Sequence, residues 1–282
     1  MKTILKLVLL FFLFSVLFVL PAVFIPPQVT IENPSPYNAL MILILLIVQF
    51  LIIIYLIQRL NLLAIKLFLT VVIVFWGLQT FMTQIETWYF IDAMPAVSNS
   101  ELANLFVRPL ITSITFIPLA MWVLGKWKEN TSGIETHTSS RLNWKEMLGL
   151  SIAYVIIYFV FGYFVAWQFE AVRVFYSGSP EDAGFFGQLK DTLQTRNFIF
   201  AFQFVRGFLW IIIGLPILLY LKGSTREKIL TCTFLYVLPV IQLIVDNPYM
   251  PQPVRVAHLL EVASSNGLFG FLIGYTATRN EM

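Results

Sequence analysis

Arg108, Arg173, Arg206 and Arg255 begin or lie within strongly apolar stretches of this chain, with Glu86, Glu170, Asp246 and Glu261 at comparable depths. Charge is costly in hydrocarbon, so an ionisable group inside a membrane-length apolar run marks a candidate functional site. Guanidinium stays charged and presents a planar fork that matches carboxylate or phosphate. An anion or lipid-headgroup site served by Arg206, Arg255 and Arg173 is one reading of this set. The other is that these arginines pair with the neighbouring carboxylates and hold helices in register.

His258 and Glu261 stand three residues apart, on one face if the segment is helical. A carboxylate beside an imidazole suits acid–base chemistry or proton-coupled transport. His258 and Glu261 would need a further ligand, Glu86 or Asp246, to hold a metal, and the sequence assigns neither a metal nor a cofactor. The chain contains no nucleophile elbow, zinc-protease helix, P-loop or dinucleotide fingerprint. The candidate acid–base residues are therefore His258, Glu261 and Glu86. The candidate ligand-binding residues are Arg206, Arg255, Arg173, Glu170, Asp246 and Asn266.

The elements that must position these groups follow from composition. Hydrophobic residues make up 59% of the 282 and charged residues 12%, which leaves too little charge to cover a water-soluble surface. The mean hydropathy is +0.82. A net charge of +3 is too small to suggest a nucleic-acid partner. The single cysteine, Cys232, excludes an intramolecular disulfide and reads as a buried, inert side chain.

A spanning helix needs roughly 20 mainly apolar residues. Eight stretches qualify: Ile4 to Ile25, Tyr37 to Ile57, Ala64 to Thr83, Val107 to Leu124, Met147 to Trp167, Asn197 to Leu221, Ile229 to Val245 and Val256 to Thr278. The fold class is thus all-α, a polytopic bundle forming a single membrane domain over residues 1–282. The first stretch could be a signal peptide, but its length and lack of a small-residue cleavage site favour a retained helix. Lysine and arginine cluster on alternate connections, from Lys2 and Lys6 through Arg59 and Lys66 to Lys222, Arg226, Lys228 and Arg279. That bias places both termini in the cytoplasm and the arginine-rich ends outside. The plasma membrane is the expected location and the lipid bilayer the expected partner. No oligomeric state is assigned.

Capping-box spacings open at Ser98–Glu101, Asn143–Glu146 and Ser224–Glu227. The first suggests a short interfacial helix that ends before Pro109. Residues 176–196 begin with a turn signal and continue as an amphipathic pattern of Phe185, Phe186, Leu189 and Leu193 around Lys190 and Asp191, a surface helix or lid. His137 reads as a solvated loop histidine. Three prolines between Asp246 and Arg255 stiffen the turn between the last two spans.

At about 100° per residue, several polar sets share a face: Gln79, Thr83 and Glu86; Arg108, Thr112 and Thr115; Tyr163, Trp167 and Glu170; Gln203, Arg206 and Trp210; and Gln242 with Asp246. In the last span Arg255, His258, Glu261, Ser265 and Asn266 lie on one side, beside a face of Gly267, Gly270 and Gly274 that would admit a neighbouring helix closely. The stripes are expected to line one polar cavity opening outward. Val-Arg at 107–108, 205–206 and 254–255 hints at a triplicated hairpin, although the connecting lengths differ greatly. The leading expectation is a transporter-like protein that binds a small anion or lipid headgroup. The alternatives are an outer-leaflet hydrolase or transferase using His258 and Glu261, and an assembly or scaffold subunit.

Overall fold

Every expected span is a helix in the computed structural model, which describes residues 2–31, 33–127 and 141–279. Lys128, Glu129, Glu135, His137 and Glu281 lie outside the described residues. Among the described residues there are no strands beyond one isolated bridge, Leu60 with Leu221. Large apolar side chains on the spans face outward, among them Ile4, Leu5, Phe12 and Trp122, each more than half exposed. Such apolar surface is unsustainable in water and natural in lipid, so the chain is a multi-pass membrane protein.

The chain divides into two compact units. The first comprises Met1–Thr138 and Leu219–Gly223. It contains α1 (Lys2–Phe24), α2 (Asn38–Arg59), α3 (Ala64–Trp76), α4 (Met82–Tyr89) and α5 (Asn99–Val123). α5 packs against all four others. A π-helical turn, Gly77–Phe81, joins α3 to α4 into one span. The return strand of chain at 219–223 is held by Asn61 N donating to Tyr220 O and Lys222 N donating to Arg59 O.

One expectation fails in this unit. Residues 98–107 do not form a separate interfacial helix, because α5 runs unbroken from Asn99 through Pro109 to Val123. Ser98 caps it by accepting from Glu101 N at 3.0 Å. Proline lacks one donor but leaves the remaining ladder intact, and membrane helices tolerate that loss where side chains and neighbours satisfy the freed carbonyls. Ser113 Oγ donates to Pro109 O at 2.8 Å, a side-chain bond in the turn that follows the proline.

The second unit comprises Ser139–Leu218 and Ser224–Met282. Its elements are α6 (Trp144–Phe161), α7 (Glu170–Ser177), α8 (Gly184–Thr195), α9 (Ile199–Tyr220), α10 (Thr225–Val237) and α11 (Gln252–Thr278). Asn143 and Glu146 form the complete capping box that starts α6, and Ser224 caps α10. α11 is the organising element, packed against α6, α7 and α10. Its glycine face meets α10 as the spacing requires. A Cβ on Gly270 would stand 2.9 Å from Cys232 O and from Tyr236 Cβ, and one on Gly274 would stand 2.9 Å from Ile229 Cα.

Two irregular segments change the phase of polar stripes. The span of α6 ends in a π turn, Gly162–Ala166, and the chain then breaks before α7, so Tyr163, Trp167 and Glu170 do not continue one face. Pro239 converts the end of the seventh span to a 3-10 helix, Leu238–Ile244, which advances by a third of a turn per residue and removes the shared face of Gln242 and Asp246.

Candidate functional site

The end of span five shows why the site lies where it does. A π turn leaves backbone groups outside the regular ladder, and such turns recur at functional positions. Here Gln168 Nε2 donates to Tyr163 O at 2.9 Å, and Arg173 Nη1 donates to Trp167 O at 2.7 Å and to Gln168 O at 3.2 Å. Arg173 Nε donates to Pro180 O at 2.6 Å. These bonds hold α7 to the end of its span and to the turn that follows, and α7 packs on the start of α11. Val172 and Ala166 pack with Val254 and Ala257, and Phe169, Phe175, Tyr176 and Met250 border that cluster. Gly178, with φ +74°, ends α7 in the left-handed conformation that glycine adopts without steric cost.

This packing brings Tyr176 to His258. The phenol oxygen lies 3.0 Å from His258 Nε2, and the two rings meet edge to face at 5.7 Å. His258 Nδ1 lies 3.0 Å from Glu261 Oε2. When Glu261 is ionised it can only accept, so Nδ1 then carries the hydrogen, and a singly protonated ring offers Nε2 as an acceptor to the tyrosine hydroxyl. Glu261 is buried, whereas His258 and Tyr176 are half-buried. The result is a hydroxyl–imidazole–carboxylate chain built from α7 and α11.

Arg255 stands one turn earlier on α11. Its guanidinium donates to Asp246 Oδ1 and to Val245 O, closing the proline-rich turn 245–251 onto its own helix. Asn247 Oδ1 accepts from Tyr249 N at 3.1 Å and Met250 N at 3.0 Å inside that turn. Arg255 and Asp246 are thus held together, as the short stiff loop implies. Glu170 lies exposed in the first turn of α7.

Deeper in the unit, Gln203, Arg206 and Trp210 share the buried face of α9. Arg206 Nη1 donates to Gln203 Oε1 at 2.8 Å, and its guanidinium carbon lies 5.9 Å from the centre of the Tyr154 ring and 5.8 Å from that of Phe202. Both separations are within cation–π range. Gln203 Nε2 is fully buried and has no hydrogen-bond partner. Asn266 and Ser265 are buried on α11. Trp210 Nε1 donates to Tyr154 OH at 3.2 Å, and Tyr236 OH donates to Trp210 O at 2.6 Å, forming a polar thread through an aromatic core.

In the first unit Glu86 is half-buried on α4. Arg108 pairs with Glu101 along α5, at i and i+7. Glu101 is completely buried and also accepts from Gln28 N at 3.2 Å, so this pair ties the chain after α1 to the start of α5. Thr112 and Thr115 direct their hydroxyls to the carbonyls of Leu17, Arg108, Ile111 and Thr112, not toward open space. The groove between α1 and α5, lined by Leu17, Leu20, Pro21, Phe24, Ile25, Ile111 and Thr115, is almost wholly apolar. Removing one member of a buried pair strands the other, at about 3–5 kcal/mol. Glu101→Ala is therefore expected to cost stability on that scale, while Arg279→Ala, which removes a half-exposed partner of Glu146 and leaves the α6 capping box in place, costs about 0–1 kcal/mol. Thermal unfolding in detergent compares the two.

The Val-Arg positions do not share one design. Arg108 is paired within its helix, Arg206 bonds Gln203, and Arg255 closes a turn. Glu101 and Tyr176 are functional-looking positions absent from the sequence candidates. The Glu101–Arg108 spacing becomes visible only once α5 is continuous through Pro109. Tyr176 has a weaker signal, as the polar tip of an otherwise apolar stripe with Phe169 and Val172. Among the described residues no group of three His, Cys, Asp or Glu side chains converges as a metal site. No family model matches the chain, and no curated protein or solved structure matches it either.

Proposed function

We propose that this membrane protein is transporter-like and couples proton transfer along Tyr176, His258 and Glu261 to the binding of a small anion or lipid headgroup. The carrying observation is the hydrogen-bonded chain itself, 3.0 Å at each link, with a buried carboxylate orienting the imidazole. A proton accepted at Nε2 is balanced by Glu261, and Tyr176 supplies or receives it at the open end. Arg206 and Asn266 are the ligand-binding positions within the spans, where Arg206 is flanked by aromatic rings. Arg173 and Arg255, whose donors serve carbonyls and Asp246, position the surrounding turns. Glu170 stands exposed at the rim, and Glu86 is an acidic position of the first unit. In this reading the polar end opens to the outer side of the plasma membrane and both termini are cytoplasmic, following the lysine and arginine bias.

The order carboxylate, imidazole, hydroxyl also fits a base-activated hydroxyl, which favours a membrane-embedded hydrolase or transferase as the second reading. Proteoliposomes with an internal pH dye separate these. Gradients of inorganic phosphate, small carboxylates or glycerophosphate are expected to drive proton flux in the wild type and not in His258→Gln. Absence of flux with headgroup release from the vesicles supports the enzyme, and absence of both supports a scaffold. Nitrogen NMR of a His137→Gln protein, in which His258 is the only histidine, checks the geometry directly. The expected result, at a pH where the ring carries one hydrogen, is that hydrogen on Nδ1, with Tyr176→Phe moving chiefly the Nε2 resonance.

A further inference from the structure

α8 is amphipathic, but its apolar stripe is only partly used by the protein. Phe185, Leu189, Leu193 and Phe186 fall within about 100° of arc, with Asp191 and Gln194 on the opposite side. At one edge Phe185 stacks on Phe164 at 5.4 Å and meets Tyr163 at 5.3 Å. At the other edge Phe186 is 81% exposed and Leu193 41%. Phe198, which leads into α9, is 75% exposed.

The location says what covers this edge. α8 lies between the span that ends at Ala166 and the span that begins at Ile199, so both its ends are tethered to membrane helices on one side. Phe164, the residue it stacks on, is itself 58% exposed on the apolar surface of its span. The uncovered stripe of α8 thus continues a surface that faces lipid. Lys190 flanks the exposed edge, where a long cationic side chain can reach phosphate while its stem stays in the apolar layer.

We infer that α8 is a monotopic anchor whose Phe186 and Leu193 edge is inserted in the bilayer interface, with Lys190 at the level of the phospholipid phosphates. Interfacial helices bury an apolar face several ångströms into the headgroup–acyl boundary. The inference uses none of the residues of the proton chain and does not depend on it.

Spin labels placed one at a time at Phe186→Cys, Leu193→Cys, Asp191→Cys and Gln194→Cys test it, in a Cys232→Ala background and in phosphatidylcholine–phosphatidylglycerol vesicles. Oxygen partitions into lipid and a nickel chelate stays in water. The ratio of oxygen to nickel collision rates is expected to be several-fold higher at 186 and 193 than at 191 and 194. Equal nickel access at all four positions overturns the inference, because the helix then stands in water. Shielding of 186 from both reagents also overturns it, because protein then covers the edge.

Discussion

Glu261→Gln is expected to abolish proton coupling while leaving the fold intact. Glutamine matches the volume of the carboxylate, and its carbonyl can still accept from His258 Nδ1, so the packing of α11 changes little. The charge that balances a protonated imidazole is lost, and the amide can also turn its NH2 toward Nδ1. The ring then has no enforced tautomer, and the link to Tyr176 at 3.0 Å loses its fixed polarity. Loss of a positioned acid–base group lowers rate by about 10²–10⁴-fold. Anion-driven proton flux in proteoliposomes should fall on that scale, with an unchanged unfolding temperature. A full rate in Glu261→Gln would remove the proton chain from the mechanism.

Gly270→Leu is expected to abolish the folded protein. The site offers no room even for a methyl group, since the Cβ would stand 2.9 Å from Cys232 O and 3.1 Å from Thr233 Cα. Those atoms are α10 backbone, so relief requires the two helices to separate. Overpacking by a methylene or so typically costs about 1–3 kcal/mol, which sets the expectation for Gly270→Ala. Leucine adds three further carbons at the same place and should leave no monodisperse species in size-exclusion chromatography. Gly149→Ala is the control: nothing lies within 4 Å of its Cβ position. Removing a mid-helix glycine there should be neutral or stabilising, by up to about 1 kcal/mol.

The membrane class and the eight spans are legible in the sequence because hydrocarbon imposes one strong, local demand: each crossing must be long, apolar and helical. The N-caps at Asn143, Ser98 and Ser224 and the close α10–α11 face were readable for the same reason, since caps and glycine spacing act within a few residues. The polar stripes were less reliable. They assume an ideal 100° advance, which the π turns at Gly77–Phe81 and Gly162–Ala166 and the 3-10 segment Leu238–Ile244 all break.

The arginines mark the division most clearly. Their types and depths, set by the sequence alone, identify the polar ends of the spans as unusual, and the His258–Glu261 pair follows from helical spacing on α11. What each arginine touches was decided by tertiary structure. Arg108 found Glu101 because α5 continues through a proline, and Arg173 found the carbonyls of Trp167 and Gln168 because the helix breaks there, between the π turn and α7. Tyr176 reached His258 only because α7 folds back on α11 across 82 residues of chain. Local spacing determines which side chains share a helix face. The partner opposite that face depends on how separate helices pack, and no short-range pattern encodes it.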